Sequence, residues 1–231
     1  MPKLLLATDN RGKLRELGAL ISSDAWELTT AAREGIAVHV QETGKTFEEN
    51  AAIKAIAYAK AANLVAIADD SGLEVEALHG EPGVLSAHYG VWRRFALETL
   101  RSGVPLPPRL VTLDSRLSTL DRERADHLLA NIAGVPWEKR SACFRCVIAI
   151  ATPEGEVELC SGECRGFIAL ESKGENGFGY DPIFYLPEFG KTMAELSFEE
   201  KNRVSHRGKA AREARLVLER LPALAADRSR K

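Results

Sequence analysis

The chain has 231 residues, 45% hydrophobic and 28% charged, and its 31 Lys and Arg against 33 Asp and Glu leave a formal charge of −2. Such a chain can bury roughly 70–75% of its unfolded surface without staples, and its charge balance lacks the signature of a general nucleic-acid or anionic-membrane binder. The longest apolar run, Cys146 to Ala151, is six residues, against about 20 for a membrane span and about 7–15 for an export signal near the start; the expected location is the cytoplasm.

Lys3 to Ala7 is a short apolar run and reads as a buried strand. Leu14, Leu17 and Ile21 follow at helical spacing, flanked by Lys13, Arg15 and Glu16, so the chain opens as strand, loop, helix. Thr46 to Ala62 is Ala-rich and helical, with Thr46-Phe47-Glu48-Glu49 as a capping box in which Glu49 reaches back. Val65 to Ala68 predicts another buried strand, ended by Asp69-Asp70-Ser71-Gly72. Residues 90–125 differ in character, with Pro105, Pro107 and Pro108 between two arginine-rich helical patterns, Val91 to Ser102 and Asp114 to Asn131.

Residues 142–152 and 156–160 predict a hairpin across Pro153-Glu154-Gly155, and Ile183-Phe184-Tyr185 a brief strand. Ser197-Phe198-Glu199-Glu200 is a second capping box. The last helix carries Ala210, Ala214, Val217 and Leu221 on one stripe, and residues 227–231 read as a frayed tail. Early alternation followed by a hairpin predicts an α/β fold, a mixed central sheet flanked by helices. No Gly- or Ser-rich linker divides the chain, so residues 1–231 read as one domain of two lobes.

The four cysteines, Cys143, Cys146, Cys160 and Cys164, superficially resemble a four-thiolate zinc site. Residues 142–150 read as a strand, however, and residues three apart on a strand point to opposite faces. The thiols read as packing.

Five constellations carry chemistry. Thr8-Asp9-Asn10-Arg11-Gly12-Lys13 lies between strand and helix, where unpaired helix amides and the positive dipole end suit a phosphate; the plainer alternative is a polar helix start capped by Asn10. Asp69 and Asp70 follow a fully apolar strand, where paired carboxylates are costly unless a hard cation such as Mg²⁺ compensates them; the plainer alternative has Asp69 capping the following turn and Asp70 solvated. Gln41-Glu42-Thr43-Gly44 precedes the capped helix that bears Asn50 and Lys54, four apart on one face.

Gly174-Glu175-Asn176-Gly177-Phe178-Gly179-Tyr180-Asp181-Pro182 holds three glycines within six residues, a sign of unusual backbone geometry or close approach to a ligand. Its Phe178 and Tyr180 are candidates to stack on a purine, or else pack in the core, and Asp181 is a candidate to orient its neighbours. Lys201 with Ser205-His206-Arg207-Gly208 brings donors to a helix start, with Arg as a fixed fork.

Seven motifs occur in order: Ala-Thr-x-Asn-x-x-Lys at 7–13, Thr-Phe-x-Glu-Asn-Ala at 46–51, Ala-Asp-Asp-Ser-Gly-Leu at 68–73, Pro-Gly-Val-x-Ser-Ala at 82–87, Gly-Phe-Gly-Tyr-Asp-Pro-Ile-Phe at 177–184, Lys-Thr-x-Ala-Glu-Leu at 191–196 and Glu-Lys-Asn-x-x-Ser-His-Arg-Gly at 200–208. Together they resemble the inosine triphosphate pyrophosphatase family, enzymes that hydrolyse dITP, ITP and XTP, over residues 3 to about 221 except near 90–125. The resemblance implies a Mg²⁺-dependent cut of a purine nucleoside triphosphate to monophosphate and pyrophosphate, in a homodimer with the nucleotide in a cleft between two lobes.

Carried over residue by residue, the resemblance assigns Thr8, Asp9, Asn10, Arg11, Gly12 and Lys13 to phosphate. Asp70 becomes general base and metal ligand, Glu42 the second metal ligand, and Lys54 and Asp69 catalytic supports. Ser71, Phe178, Gly179, Tyr180, Asp181, Lys201, His206 and Arg207 become nucleotide contacts, the last two near the 6-oxo edge of the base. Asp9 stands where the family often has Gly, His88 where Arg is usual and Gln41 where an extra Glu is common, and the 90–125 segment is longer than the family's. The rival from another class is a catalytically silent nucleotide-binding regulator, against which the retention of Glu42, Lys54, Asp69 and Asp70 speaks.

Overall fold

The computed structural model describes residues 1–90 and 114–228. The predicted Val91–Ser102 helix and the proline segment lie outside them. In chain order the elements are β1 Lys3–Leu6, α1 Arg11–Ile21, β2 Glu27–Thr30, α2 Phe47–Ala62, β3 Val65–Val75, α3 Asp114–Asn131, β4 Ser141–Ala151, β5 Val157–Ile168, β6 Phe184–Leu186, β7 Lys191–Thr192, α4 Phe198–Val204 and α5 His206–Arg228. One seven-stranded sheet has the order β2-β1-β3-β4-β5-β6-β7. It is mixed, as predicted: β1 pairs parallel with β2 and β3, and β6 antiparallel with β5 and β7.

The chain divides into two compact units, residues 1–71, 144–164 and 202–231 in the first and residues 72–143 and 165–201 in the second. The first is built on an apolar core of Leu4, Leu6 and Ile67 from the parallel strands, Leu17 and Ile21 from α1, Ile148 and Ile150 from β4, and Ala210, Ala214 and Leu218 from α5. Small alanines on α5 let α1 approach it closely. Trp26 closes one end, donating its indole N–H to the Leu218 carbonyl at 3.0 Å. On α2 the buried residues Phe47, Asn50, Ala51, Ala55, Tyr58 and Ala59 recur at the helical period. That helix ends at Asn63, whose left-handed conformation lets its amide return to the Ala59 carbonyl.

The second unit holds α3, β6 and β7. Buried Arg140 gathers its loops: Nε donates to the Ile168 carbonyl at 2.8 Å, Nη2 to Ala169 at 2.8 Å, and Nη1 to Ile132 at 2.9 Å and Val135 at 3.3 Å. Four carbonyl dipoles thus stand in for the water this guanidinium has lost.

Three expectations need correction. The strand predicted to stop at Ala68 runs on to Val75 through both aspartates, because the chain past the motif is anchored in its turn: the Leu73 amide donates to Ser86 Oγ at 2.9 Å. The second hairpin strand, expected over 156–160, extends to Ile168. The last helix runs to Arg228. Glu49 reaches the amide of Lys45 at 2.6 Å rather than that of Thr46, while Thr46 caps the Glu49 amide at 3.1 Å as expected. The Ser197–Glu200 capping box closes in both directions, at 2.9 and 3.2 Å. Among the described residues no helix is long and apolar enough to cross a membrane.

Candidate active site

β1 and β3 run parallel in register through Leu6 and Ile67, and the Ala7 amide still bonds the Ile67 carbonyl at 2.8 Å. β1 then turns away. Asp69 and Asp70 therefore lie just past the carboxyl end of the shorter strand, although β3 itself continues, and as neighbours on a strand they leave opposite faces. The first-unit side chains singled out in the sequence gather around this point.

Asp69 is wholly buried. Its Oδ2 meets Lys13 Nζ at 3.0 Å, Arg207 Nε at 3.4 Å and Ser71 Oγ at 3.3 Å. Burial disfavours its charge, but Lys13, Arg207 and Lys54 outweigh that and hold the carboxyl well below the usual carboxylate range. Arg207 in turn donates Nη1 to Glu16 Oε2 at 2.5 Å and Nη2 to Ser71 Oγ at 2.9 Å. The two carboxylates raise the guanidinium's pKa despite its burial. Two cations, partly buried Lys13 and fully buried Arg207, thus face two buried anions, Asp69 and Glu16.

Glu16 is the member that sequence reasoning missed. In the sequence it reads as a flanking charge, yet it is buried beside Leu17 on α1. The available signal was its position three residues after Lys13, on the side of the helix that also carries Leu17.

Asp70 is 8% exposed. Its Oδ1 accepts the Ser71 amide at 3.0 Å, whereas Oδ2 is buried and has no hydrogen-bond partner, as is Asp69 Oδ1. Burial pushes the Asp70 carboxyl up against the pull of Lys13 and Lys54, and the nearby Glu42 carboxylate adds to the rise. Lys54 joins the two sides of the site, with Nζ 3.1 Å from Glu42 Oε1 and 3.0 Å from the Asp69 carbonyl. Burial lowers the Lys54 pKa less than Glu42, Asp69 and Asp70 raise it, so it stays charged. Asn50 on α2 accepts the Gly44 amide at 2.8 Å and so ties the loop bearing Glu42 to the helix bearing Lys54.

An unpartnered buried carboxylate oxygen beside a second carboxylate is a hard-oxygen donor set suited to Mg²⁺, which takes one or two carboxylates and fills its octahedron with water and phosphate. Among the described residues no cluster of three or more His, Cys, Asp and Glu side chains forms; Asp70 and Glu42 are carboxylates that could hold a cation here. Of the four thiols, Cys146 and Cys160 pack in the first unit's core.

In the Thr8–Lys13 loop Asn10 caps α1, accepting the Lys13 amide at 3.0 Å, while its own amide donates to Thr8 Oγ1 at 3.2 Å. The plain helix-cap reading is thus realised at Asn10, and Asp9 is exposed, which keeps its charge off the loop's amides. At the start of α5, His206 stacks on Phe144 with ring centroids 4.6 Å apart. Gly162 of β5 makes room there, since a Cβ on it would lie 2.2 Å from the His206 carbonyl.

In the second unit, Lys201 Nζ donates to Asp181 Oδ2 at 2.5 Å and lies 4.9 Å from the Phe178 ring centroid. Asp181 also accepts the Phe178 amide at 2.8 Å, so it does orient its neighbours. Tyr180 is buried with its hydroxyl donated to the Ser86 carbonyl at 2.9 Å, so its ring lies in the core.

The family model for the Ham1 family matches residues 4–102 and 111–216, breaking at 103–110 inside the long segment singled out above. A dITP/XTP pyrophosphatase of Desulforamulus reducens is 44% identical over 219 residues, covering 95% of this chain and 96% of that protein. One from Bacillus cereus is 42% identical over 92% of each chain. A solved HAM1 protein from Coxiella burnetii superposes with a TM-score of 0.76 at 37% identity, covering 95% of this chain and 99% of its own. The Staphylococcus aureus Ham1 protein gives 0.74 at 37% identity over 94% and 98%. With motifs, sheet and matched length in agreement, the chain belongs to the Ham1 family.

Proposed function

We propose that this chain hydrolyses non-canonical purine nucleoside triphosphates, dITP, XTP and ITP, to the nucleoside monophosphate and pyrophosphate. The observation that carries the reading is the pair Asp69–Asp70: one carboxylate neutralised by Lys13 and Arg207, the other left with a buried open oxygen beside Glu42 and Lys54. A site built only to hold a nucleotide has no use for an unsatisfied acid at its centre. The relatives named dITP/XTP pyrophosphatases, similar over nearly their whole length, support the substrate class.

In this reading Thr8 to Lys13 bind the triphosphate, with Lys13 and Lys54 as cations along it. Mg²⁺ held by Asp70 and Glu42 would supply neutralisation of the charge that develops on the phosphates. Asp70 accepts the proton of the attacking water, which adds to the α-phosphorus as pyrophosphate leaves. Lys54 keeps Glu42 and the Asp69 carbonyl in place, and Asp69 keeps Lys13 and Arg207 in place. Ser71, Phe178, Gly179, Tyr180, Asp181 and Lys201 belong to the nucleotide-contact set, with Tyr180 contributing through its backbone. His206 and Arg207 offer donors to a 6-oxo edge. An adenine amine facing those donors leaves them unpaired, which disfavours ATP by a few kcal/mol. A homodimer in the cytoplasm completes the proposal.

The test is a panel of ITP, XTP, dITP and ATP, each with and without Mg²⁺, with the released phosphate species identified. Pyrophosphate from the first three, dependent on Mg²⁺, is expected. Orthophosphate release, or equal rates with ATP, sinks the reading.

A further inference from the structure

The Gly177–Asp181 turn is open backbone, with φ of +81° at Gly177 and +64° at Gly179. Two consecutive amides of this turn end on carboxylates. The Phe178 amide donates to Asp181 Oδ2 at 2.8 Å, from within the turn. The Gly179 amide donates to Asp121 Oδ2 at 2.9 Å, and Asp121 stands on α3, 58 positions away. The other Asp121 oxygen is gripped by Arg124 one helical turn on, and Arg124 Nη1 donates to the Ala87 carbonyl at 2.7 Å. Tyr180 bonds the adjacent Ser86 carbonyl at 2.9 Å.

An acid on an exposed helix face would be solvated and mobile. Asp121 is mostly covered, its side chain 19% exposed, and both its oxygens are spoken for. A bond from a backbone amide to a carboxylate is shorter and stronger than a neutral one, and glycine at 179 gives the turn little stiffness of its own. The Phe178 ring, beneath Lys201, therefore takes its attitude from a carboxylate on each side of its peptide. The geometry points to Asp121, braced by Arg124, as a positioning residue that sets the Phe178–Gly179 turn for the nucleotide, an inference that rests on the function proposed above.

Asp121→Ala should raise the KM for ITP about tenfold or more, the scale of one lost charge-assisted bond, while kcat stays within about twofold. Asp121→Asn, which keeps an acceptor oxygen in the same place, should recover most of the loss, a rescue that mere packing of α3 would not give. A KM within twofold of wild type in the Ala variant, or a loss confined to kcat, overturns the inference.

Amide hydrogen exchange on the unliganded wild-type protein keeps the question separate from turnover and from any variant that fails to fold. The Gly179 amide should exchange at least about tenfold more slowly than an unprotected one, and exchange at the free-chain rate overturns the assignment. If wild-type protein does not hydrolyse ITP at all, the proposed function falls, while exchange at Gly179 still decides whether Asp121 holds the turn.

Discussion

Arg207 Nη1 and Glu16 Oε2 meet at 2.5 Å although 191 positions separate them in the chain. The contact closes a largely buried square of charge with Lys13 and Asp69, so that the cation next to Asp69 is itself held by a second acid. Removing one corner leaves Arg207 buried with a single carboxylate. Breaking a buried pair in this way costs about 3–5 kcal/mol, and a neutral acceptor in the same place recovers part of it. Glu16→Ala is expected to lower unfolding free energy by about that amount in urea titrations, and Glu16→Gln by about 1–3 kcal/mol. Equal stability in all three proteins would show that the square contributes nothing to the fold.

Asp70 behaves in the opposite sense. Burial raises its pKa, so the fold is poorer, not richer, for its charge, and a neutral amide of the same shape relieves that cost. Asp70→Asn should therefore melt at the wild-type temperature or slightly above it while hydrolysis of ITP falls by about three orders of magnitude or more, the combined worth of a proton acceptor and a cation ligand. Activity at half the wild-type level would remove Asp70 from the centre of the reaction.

Gly162 on β5 packs directly against the start of α5. A Cβ there would lie 2.2 Å from the His206 carbonyl and 2.6 Å from the Ala210 amide, both backbone atoms that cannot swing aside. Gly162→Ala must push the helix that carries His206 and Arg207 away from β5. Overpacking of this kind costs about 1–3 kcal/mol, and since Arg207 moves with the helix, ITP hydrolysis should drop along with the melting temperature. A stable and fully active variant would mean that the helix start tolerates displacement.

How much of this could be seen in the chain beforehand divides along physical lines. Thr8 to Lys13, Asp69-Asp70-Ser71 and Thr46 to Lys54 were legible because each is a local pattern: a polar loop after an apolar strand, paired acids after another, a capped helix. Glu16 was not, since an acid next to Lys13 reads as solvated face until Arg207 arrives from the far end of the chain. The extension of β3 was not legible either. Asp-Asp-Ser-Gly has low strand propensity, and what overrides it is distant, Lys13 and Arg207 at Asp69 and the Ser86 hydroxyl at Leu73. β2, the four residues Glu27–Thr30, is too short to carry a period. Arg140 gave no signal at all, because its four partners are carbonyls that any residue could supply.

The thiols supply a test on pH that does not involve the proposed metal ligands. Cys160 is buried on β5, and its pKa is pushed up to about 11 from 9.0, first by burial and then by the carboxylates of Glu213 and Glu158, with Arg220 pulling the other way. The unfolded thiol ionises near its ordinary value, so between pH 9 and 11 the folded protein holds a proton that the unfolded chain has released. This contribution to stability is complete below pH 9 and declines as pH rises through that window, by on the order of 2 kcal/mol in all. Urea titrations at pH 8 and pH 10.5 should show the decline in wild type and a shallower one in Cys160→Ala, whose overall stability is lower from the lost packing. Alkylation at pH 8 should follow the same order, with half-buried Cys143 modified well before Cys146, whose thiol burial pushes up to about 12. Identical pH slopes in the two proteins would mean that Cys160 ionises in the fold as freely as in the open chain.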